Sequence, residues 1–195
     1  MPTDRRDFLR LTAAATGGLG LGVSAESLVA DSFRKPEPPA RRAIRILILG
    51  GTGFIGPHQV RYALDRGHTV TLFNRGRTNT HLFPGVERLV GDRNGQLDAL
   101  AGRSWDVVID NSRSNPEWVR LAADFLKDSV GLYFYVSSRS AYSDTSIVPM
   151  TADAPTYTYE SAGVSRDSES LPYGLAKALS ERTAQRIFVG RTNIV

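Results

Sequence analysis

Two residues four positions apart, Tyr173 and Lys177, could carry acid–base chemistry. Residues at this spacing share one face of a helix, so we expect the phenol and the ammonium to project together. A nearby cation favours the phenolate form of a tyrosine, and such a tyrosine can exchange a proton with a hydroxyl near neutral pH. The alternative is that Tyr173 is only an aromatic residue at the start of a helix, packed on a sheet.

A second candidate site lies in residues 44–56, whose sequence is IRILILGGTGFIG. An apolar strand runs directly into glycines at positions 50, 53 and 56. Gly50 permits a tight turn, Gly53 lets backbone amides approach a pyrophosphate, and Gly56 lets the following helix pack closely. The start of that helix offers further amides to phosphate. The pattern predicts a dinucleotide-binding loop, and the alternative is an ordinary strand-to-helix turn.

The cofactor type depends on the residues about 20 positions beyond the glycines. An NAD site usually has Asp or Glu there, to accept hydrogen bonds from the ribose 2′-hydroxyl. This chain has Asn74, Arg75 and Arg77. Because a guanidinium can bind a 2′-phosphate, the sequence slightly favours NADP over NAD. The alternative is that both arginines belong to a solvent-exposed turn.

Alternating strands and helices must position these residues. The patterns predict strands over 44–49, 69–73, 87–90, 106–110, 130–136 and 192–195, and helices over 56–67, 116–127 and 173–187. This rhythm indicates βαβ units, and therefore an α/β fold with a doubly wound parallel sheet. In the second helix the predicted apolar face consists of Trp118, Leu121, Ala122, Phe125 and Leu126.

Ligands of such sheets bind beyond the carboxyl ends of the strands, which directs attention to Asn111, Ser137 and Ser138. For both serines the alternative is capping of the next turn, and for Ser137 this explanation is nearly as good as any other role. Residues 143–171 are rich in Ser, Thr, Asp, Glu and Pro and show little periodicity. We interpret them as a lid or specificity loop, and the alternative is surface disorder.

Composition narrows the class of protein. With 195 residues and 41% hydrophobic residues, the chain can form one domain with its own core. It contains no cysteine, and its three histidines lack ligand spacing, which excludes a cysteine nucleophile and a structural zinc site. The net charge of +4 is spread along the chain, so we predict no nucleic-acid partner. The oligomeric state cannot be predicted.

The first 30 residues resemble a twin-arginine export signal. Arg5 and Arg6 precede Asp7-Phe8-Leu9-Arg10, and a mildly apolar stretch then leads to small residues at Ala25 and Ala30, either of which could precede the cleavage site. The stretch is too short and glycine-rich to span a membrane. We predict an exported, periplasmic protein with a linker over 31–43 and one domain over 44–195. The alternative is a disordered basic tail on a cytoplasmic protein.

Several motifs together resemble the extended short-chain dehydrogenase/reductase family, specifically its NAD-dependent epimerase/dehydratase group. The motifs are GGTGFIG at 50–56, Gly91-Asp92, Val136-Ser137-Ser138 with Tyr142 four residues on, and YGLAK at 173–177. The resemblance implies a Rossmann-type sheet that stops in its sixth strand, and hence the amino-terminal cofactor half of a longer protein. This half by itself could be inactive. It implies NAD(P)-dependent hydride transfer on a hydroxyl of a small, sugar-nucleotide-like substrate; the alternative is a non-catalytic NAD(P)-binding sensor or interaction protein.

The resemblance also assigns the site residues. Ser138 takes the place of the catalytic Ser or Thr, Tyr173 that of the acid/base, and Lys177 that of the group that holds the nicotinamide ribose. The implied cofactor-binding residues are Gly50, Gly53, Phe54, Ile55, Gly56, Asn74, Arg75, Asp92 and Lys177, with Asp92 meeting the adenine. The chain departs from the family pattern at Asn74, where an acidic residue is usual, and at Asp110-Asn111-Ser112, where small apolar residues are usual.

Overall fold

The computed structural model describes residues 39–113, 115–146 and 148–195. The predicted signal segment over 1–30 and most of the predicted linker lie outside the described residues, so export stays a prediction. The described strands are β1 (Arg45–Leu49), β2 (Thr69–Asn74), β3 (Glu87–Val90), β4 (Trp105–Asp110), β5 (Val130–Tyr135) and β6 (Thr192–Ile194). The described α-helices are α1 (Gly56–Asp65), α2 (Pro116–Leu126) and α3 (Tyr173–Ile187). None of these helices is long and apolar enough to cross a membrane.

The six strands form one parallel sheet in the order β3-β2-β1-β4-β5-β6. The predicted α/β fold with a Rossmann-type, doubly wound parallel sheet is therefore confirmed. The strand order reverses between β1 and β4, and in such sheets the crevice at this reversal is where dinucleotides bind. The carboxyl ends of β1, β4 and β5 consequently lie side by side at one edge.

Apolar side chains cover both faces of the sheet, as expected for a parallel sheet. On one face α1 packs Val60 and Ala63 against β1 and β2. On the other face α2 and α3 cover a larger cluster that includes Leu47, Val108 and Tyr133. The two clusters fix α1 and α3 on opposite faces, and each of these helices begins at the carboxyl edge of the sheet.

The buried face of α2 differs from the prediction. Its buried residues are Val119, Ala122, Ala123 and Leu126. Phe125, predicted to be in the core, is exposed. The predicted and the observed buried faces share Ala122 and Leu126. The observed face contains two alanines, and it faces inward because small side chains allow the helix to approach its neighbours closely.

The described part of the 143–171 loop is attached to the domain. Tyr142 pairs with Thr156 in an antiparallel bridge, and the Ser143 amide donates to the Pro155 carbonyl at 2.9 Å. Arg182 of α3 donates to the Thr156 hydroxyl at 2.9 Å and to the Tyr157 carbonyl. These contacts hold the loop beside the start of α3.

Candidate functional site

The glycine turn after β1 has the shape of a phosphate cradle. Gly50 and Gly51 have φ values of 111° and 90°, a region that favours glycine. A Cβ on Gly56 would lie 2.5 Å from the backbone of Gly51, so only glycine lets α1 begin this close to the turn. A Cβ on Gly53 would meet nothing within 4 Å. The turn is therefore tightly packed at Gly56 and open at Gly53.

The start of α1 is suited to an anion. Ile55 occupies the N-cap position, no described side chain caps the helix there, and the first turn carries no acidic residue. Pro57 has no N–H, and the His58 amide donates to the Ile55 carbonyl at 3.1 Å, so the positive end of the helix dipole and the amides that precede Pro57 are what this turn offers to a pyrophosphate. Phe54 and Ile55, which the resemblance assigns to cofactor binding, are exposed, Phe54 by 97%. Their role would therefore come from the backbone of the turn.

Substitutions of Gly56 and Gly53 are expected to have separate effects, the first on stability and the second on dinucleotide binding. Gly56→Ala should lower the free energy of unfolding by about 1–3 kcal/mol, because the added methyl group overlaps backbone. Gly53→Ala should leave stability within about 0.5 kcal/mol but weaken dinucleotide binding, because its methyl group enters the space through which phosphate must approach. Urea unfolding and calorimetric titration with NADH measure the two quantities. Unchanged NADH affinity in Gly53→Ala would contradict a phosphate position at this turn.

Asn74 supports the glycine turn instead of standing free at the end of β2. Its side-chain amide donates to the Gly50 carbonyl at 3.2 Å, and its oxygen accepts from the Gly76 amide at 2.8 Å. Arg75 beside it is exposed. The predicted contact of these two residues with the adenosine ribose, and the preference for NADP, stay predictions.

Asp92 lies at the start of a small turn after β3, which ends at Gln96. Its carboxylate accepts from the Asn94 amide at 3.0 Å, and its backbone pairs with Gln96. These bonds fix the Gly91–Asp92 backbone near the same edge of the sheet as the glycine turn, because β2 pairs with β3 in parallel. This position is consistent with the predicted adenine contact.

Tyr173 and Lys177 come together at the start of α3. Tyr173 is the first residue of the helix and is 48% exposed, whereas Lys177, one turn further, is 3% exposed. The Lys177 ammonium lies 5.9 Å from the Tyr173 ring centre and 4.7 Å from the Tyr135 ring centre. An accessible phenol thus stands beside a buried cation.

Backbone carbonyls hold that cation. Lys177 Nζ donates to the carbonyl oxygens of Ser112 at 2.6 Å and Val136 at 2.7 Å, at the ends of β4 and β5. Burial lowers the pKa of Lys177, and the negative charges of Asp110 and Glu181 oppose this effect. Two of the three ammonium donors are used by the protein, which leaves one for a ligand.

Of the two serines, for which capping was the alternative, only Ser138 caps the next turn. Ser138, predicted to be catalytic, caps the short 3₁₀-helix Arg139–Ala141 by accepting from the Ser140 amide at 3.2 Å. Its hydroxyl hydrogen remains free for another acceptor. Ser137, for which capping was nearly as good an explanation as any other, instead donates to the Glu181 carboxylate. Burial raises the pKa of Glu181, against the lowering effect of this hydrogen bond.

The turn that carries Ser138 packs directly on α3. A Cβ on Gly174 would lie 2.1 Å from the Ser140 carbonyl oxygen, so the glycine after Tyr173 permits this contact. A cavity of about 480 Å³ opens beside it. Its walls are Ser140, Tyr142, Thr145, Tyr157, Ser161, Ala162, Pro172, Tyr173, Gly174 and Leu175. The 143–171 loop therefore supplies one wall of a cavity next to Tyr173.

One feature was missed by sequence reasoning: a buried ion pair beneath the site. Asp110, fully buried, accepts from Arg93 Nη1 at 2.5 Å and Nη2 at 2.6 Å, and also from the Tyr133 hydroxyl. Burial raises the pKa of Tyr133, and the neighbouring Asp110 charge adds to this effect. The available signal was a carboxylate that closes the otherwise apolar strand DVVID, together with an arginine directly after Gly91-Asp92.

Asn111 supplies an acceptor at the point where the strand order reverses. Its amide nitrogen donates to Gln59 at 2.7 Å, whereas its oxygen is buried and has no hydrogen-bond partner among the described residues. The Asn111 Cβ lies 3.4 Å from where a Cβ on Gly50 would stand. Together with the cradle at Gly53 and Gly56, this unused oxygen fits a polar ligand such as a dinucleotide.

Comparison with known proteins agrees with this geometry. The model of the NAD dependent epimerase/dehydratase family matches residues 46–188. The chain is 32% identical over 121 residues to the chloroplast stem-loop binding protein of 41 kDa b from Arabidopsis thaliana, covering 54% of this chain and 32% of that protein. It is 28% identical over 169 residues to UDP-glucose 4-epimerase from Neisseria meningitidis serogroup B, covering 71% of this chain and 46% of that protein.

A crystal structure of UDP-galactose 4-epimerase has the same fold. It superposes with a TM-score of 0.61 at 23% identity, over 77% of this chain and 54% of that chain. The chain thus spans from about a third to about half of the length of these three proteins.

Proposed function

Since the chain belongs to the NAD dependent epimerase/dehydratase family, we propose that it binds a nicotinamide dinucleotide and contributes the cofactor half of an oxidoreductase or epimerase that acts on a nucleotide-linked sugar. One observation carries the proposal. An open glycine cradle after β1 and the Tyr173/Lys177 pair on α3 occur at the same edge of one parallel sheet, and Lys177 reaches the backbone after β4, the strand that neighbours β1.

Each group has a distinct role in the proposed reaction. A bound nicotinamide would supply the hydride acceptor or donor for the substrate carbon. Tyr173, accessible at the start of α3, takes the proton of the substrate hydroxyl and gives it back, with the Lys177 ammonium 5.9 Å from its ring centre. Ser138 hydrogen-bonds the same hydroxyl through its unused hydrogen.

The remaining residues bind and orient. Gly53 and the start of α1 hold the pyrophosphate, and Lys177 directs its third N–H to the nicotinamide ribose. The cavity beside Tyr173 receives the sugar, with tyrosine rings and hydroxyl-bearing side chains on its walls. The nucleotide-sugar class is supported by the names of the epimerases with which the chain shares its family or fold.

Calorimetric titration of the chain with NAD⁺, NADH, NADP⁺ and NADPH tests the proposal. We expect saturable binding of at least one pair, and the residues after β2 favour the phosphorylated pair. Arg75→Ala combined with Arg77→Ala should then weaken NADPH binding and spare NADH binding, because only the 2′-phosphate needs a cation. A chain that binds none of the four dinucleotides would remove the proposal.

A second candidate function is binding without catalysis, in a sensor or interaction protein of the same fold. It is favoured by one observation, that a relative with 32% identity is named a stem-loop binding protein. Nucleotide binding with no change in nicotinamide absorbance on adding UDP- or dTDP-linked hexoses to the whole protein would support it. Retention on stem-loop RNA at physiological salt would contradict the prediction of no nucleic-acid partner.

A further inference from the structure

Asp110 fixes both of the acceptors that hold Lys177. Its carboxylate accepts from the Ser112 amide at 2.8 Å, and its backbone carbonyl accepts from the Val136 amide at 3.0 Å. Ser112 and Val136 are the two residues whose carbonyl oxygens bind the Lys177 ammonium. The position of the ammonium therefore depends on the carbonyl groups of two residues whose backbone amides both hydrogen-bond to Asp110.

Arg93 connects the same carboxylate to the other end of the candidate cofactor site. It binds both oxygens of Asp110 and directly follows Asp92, the residue predicted to meet the adenine. Only 13% of the Arg93 side chain is exposed, so the pair is shielded from water. One buried carboxylate thus joins the adenine turn to the ammonium predicted to hold the nicotinamide ribose.

We propose that Asp110 is a positioning residue for Lys177. Its bonds to Ser112, Val136 and Arg93 then keep the adenine end and the nicotinamide end of the dinucleotide site in a fixed position relative to each other. The inference rests on the proposed function. An ammonium with two fixed acceptors has little freedom left in its third N–H, so that donor is aimed before the ligand arrives. Partners of this kind, which do not touch the ligand, commonly orient the groups that do.

Two matched double variants test this role. Arg93→Met with Asp110→Asn removes both charges but keeps an oxygen that can accept from the Ser112 amide. Arg93→Met with Asp110→Leu removes the charges and the acceptor while keeping a similar side-chain volume. Both variants lack the ion pair, so a difference between them measures the effect of the hydrogen bond from the Ser112 amide alone.

The readout is the ratio of the affinities for NADH and ADP, measured by calorimetry. ADP contains the adenosine and diphosphate but lacks the nicotinamide riboside, so the ratio reports the end of the site that Lys177 serves. We expect the ratio to fall about tenfold in the leucine variant and to recover in the asparagine variant. In a Lys177→Met background the two variants should give the same ratio, because Asp110 acts through Lys177.

The outcomes separate the inference from its premise. A wild-type chain that binds none of the four dinucleotides would defeat the proposed function itself. If the wild type binds NADPH and not NADH, the ratio is taken between NADPH and ADP. A wild-type chain that binds its dinucleotide and ADP, with equal ratios in the two double variants, would overturn only the role of Asp110. A difference between the variants that persists in the Lys177→Met background would also overturn it, since the effect would then bypass Lys177.

If the leucine variant does not fold, the role of Asp110 is tested by the pH dependence of NADH binding in the asparagine variant. The charged groups facing Lys177 are Asp110 from β4, Glu181 from α3 and Arg93 from the turn after β3, and Asp110 has the largest effect among them. Removing Asp110 and Arg93 together should therefore lower the pKa of Lys177. The loss of NADH affinity with rising pH should begin at a lower pH than in the wild type, and an unmoved profile would overturn the inference.

Discussion

Replacing Tyr173 by phenylalanine is expected to lower turnover of a nucleotide sugar by about 10²- to 10⁴-fold while leaving NADH affinity unchanged. The substitution removes one hydroxyl and retains the ring that Lys177 faces at 5.9 Å. The loss in rate would therefore reflect the missing proton exchange. The phenol is 48% exposed at the mouth of the cavity, so its removal leaves no buried void.

A matched control is available in α1. Tyr62 is also 48% exposed, and it lies on the helix that covers the opposite face of the sheet. Tyr62→Phe should retain full turnover in the whole protein. The rates with UDP- and dTDP-linked hexoses are followed by nicotinamide absorbance for net oxidation or reduction, and by chromatography of the product sugar nucleotides for epimerisation. If the two phenylalanine variants turned over at the same rate, the acid/base role of Tyr173 would be wrong.

Local patterns made the fold and part of the site predictable. The strands needed only apolar runs bounded by turn residues, and α3 begins and ends where its periodicity indicated. The approach of Lys177 to Tyr173 followed from the four-residue spacing, since one turn of helix determines it. The glycine turn was equally local, because the strand, the turn and the helix are consecutive in the chain.

Features that depend on tertiary contacts were not predictable in this way. The Arg93–Asp110 pair joins residues 17 positions apart, and no spacing rule relates them. The sequence also did not determine which apolar face of α2 is buried, because this depends on how closely the neighbouring elements approach the helix. Capping was the sequence-based alternative for both Ser137 and Ser138, but the turn conformation after β5 determines that Ser138 is the one that caps.

The buried ion pair predicts the largest stability changes in the described chain. Asp110→Asn should lower the free energy of unfolding by about 3–5 kcal/mol, because it leaves the Arg93 guanidinium buried without a counter-charge. Arg93→Met should cost a similar amount, because the fully buried carboxylate then keeps only the Tyr133 hydroxyl and the Ser112 amide as donors. Urea unfolding followed by tryptophan fluorescence measures both, with Trp105 in the core as reporter.

The double variant Arg93→Met with Asp110→Asn distinguishes the pair from its separate charges. Taking two ions out of water costs about as much as their attraction returns, so removing both should cost far less than the sum of the single changes. The surface pair of Arg103 and Glu87 provides the control, since both side chains are more than a third exposed and Arg103→Met should change stability by less than about 1 kcal/mol. Additive losses in the double variant would mean that the two charges act independently, and that the bidentate contact is not the reason for their burial.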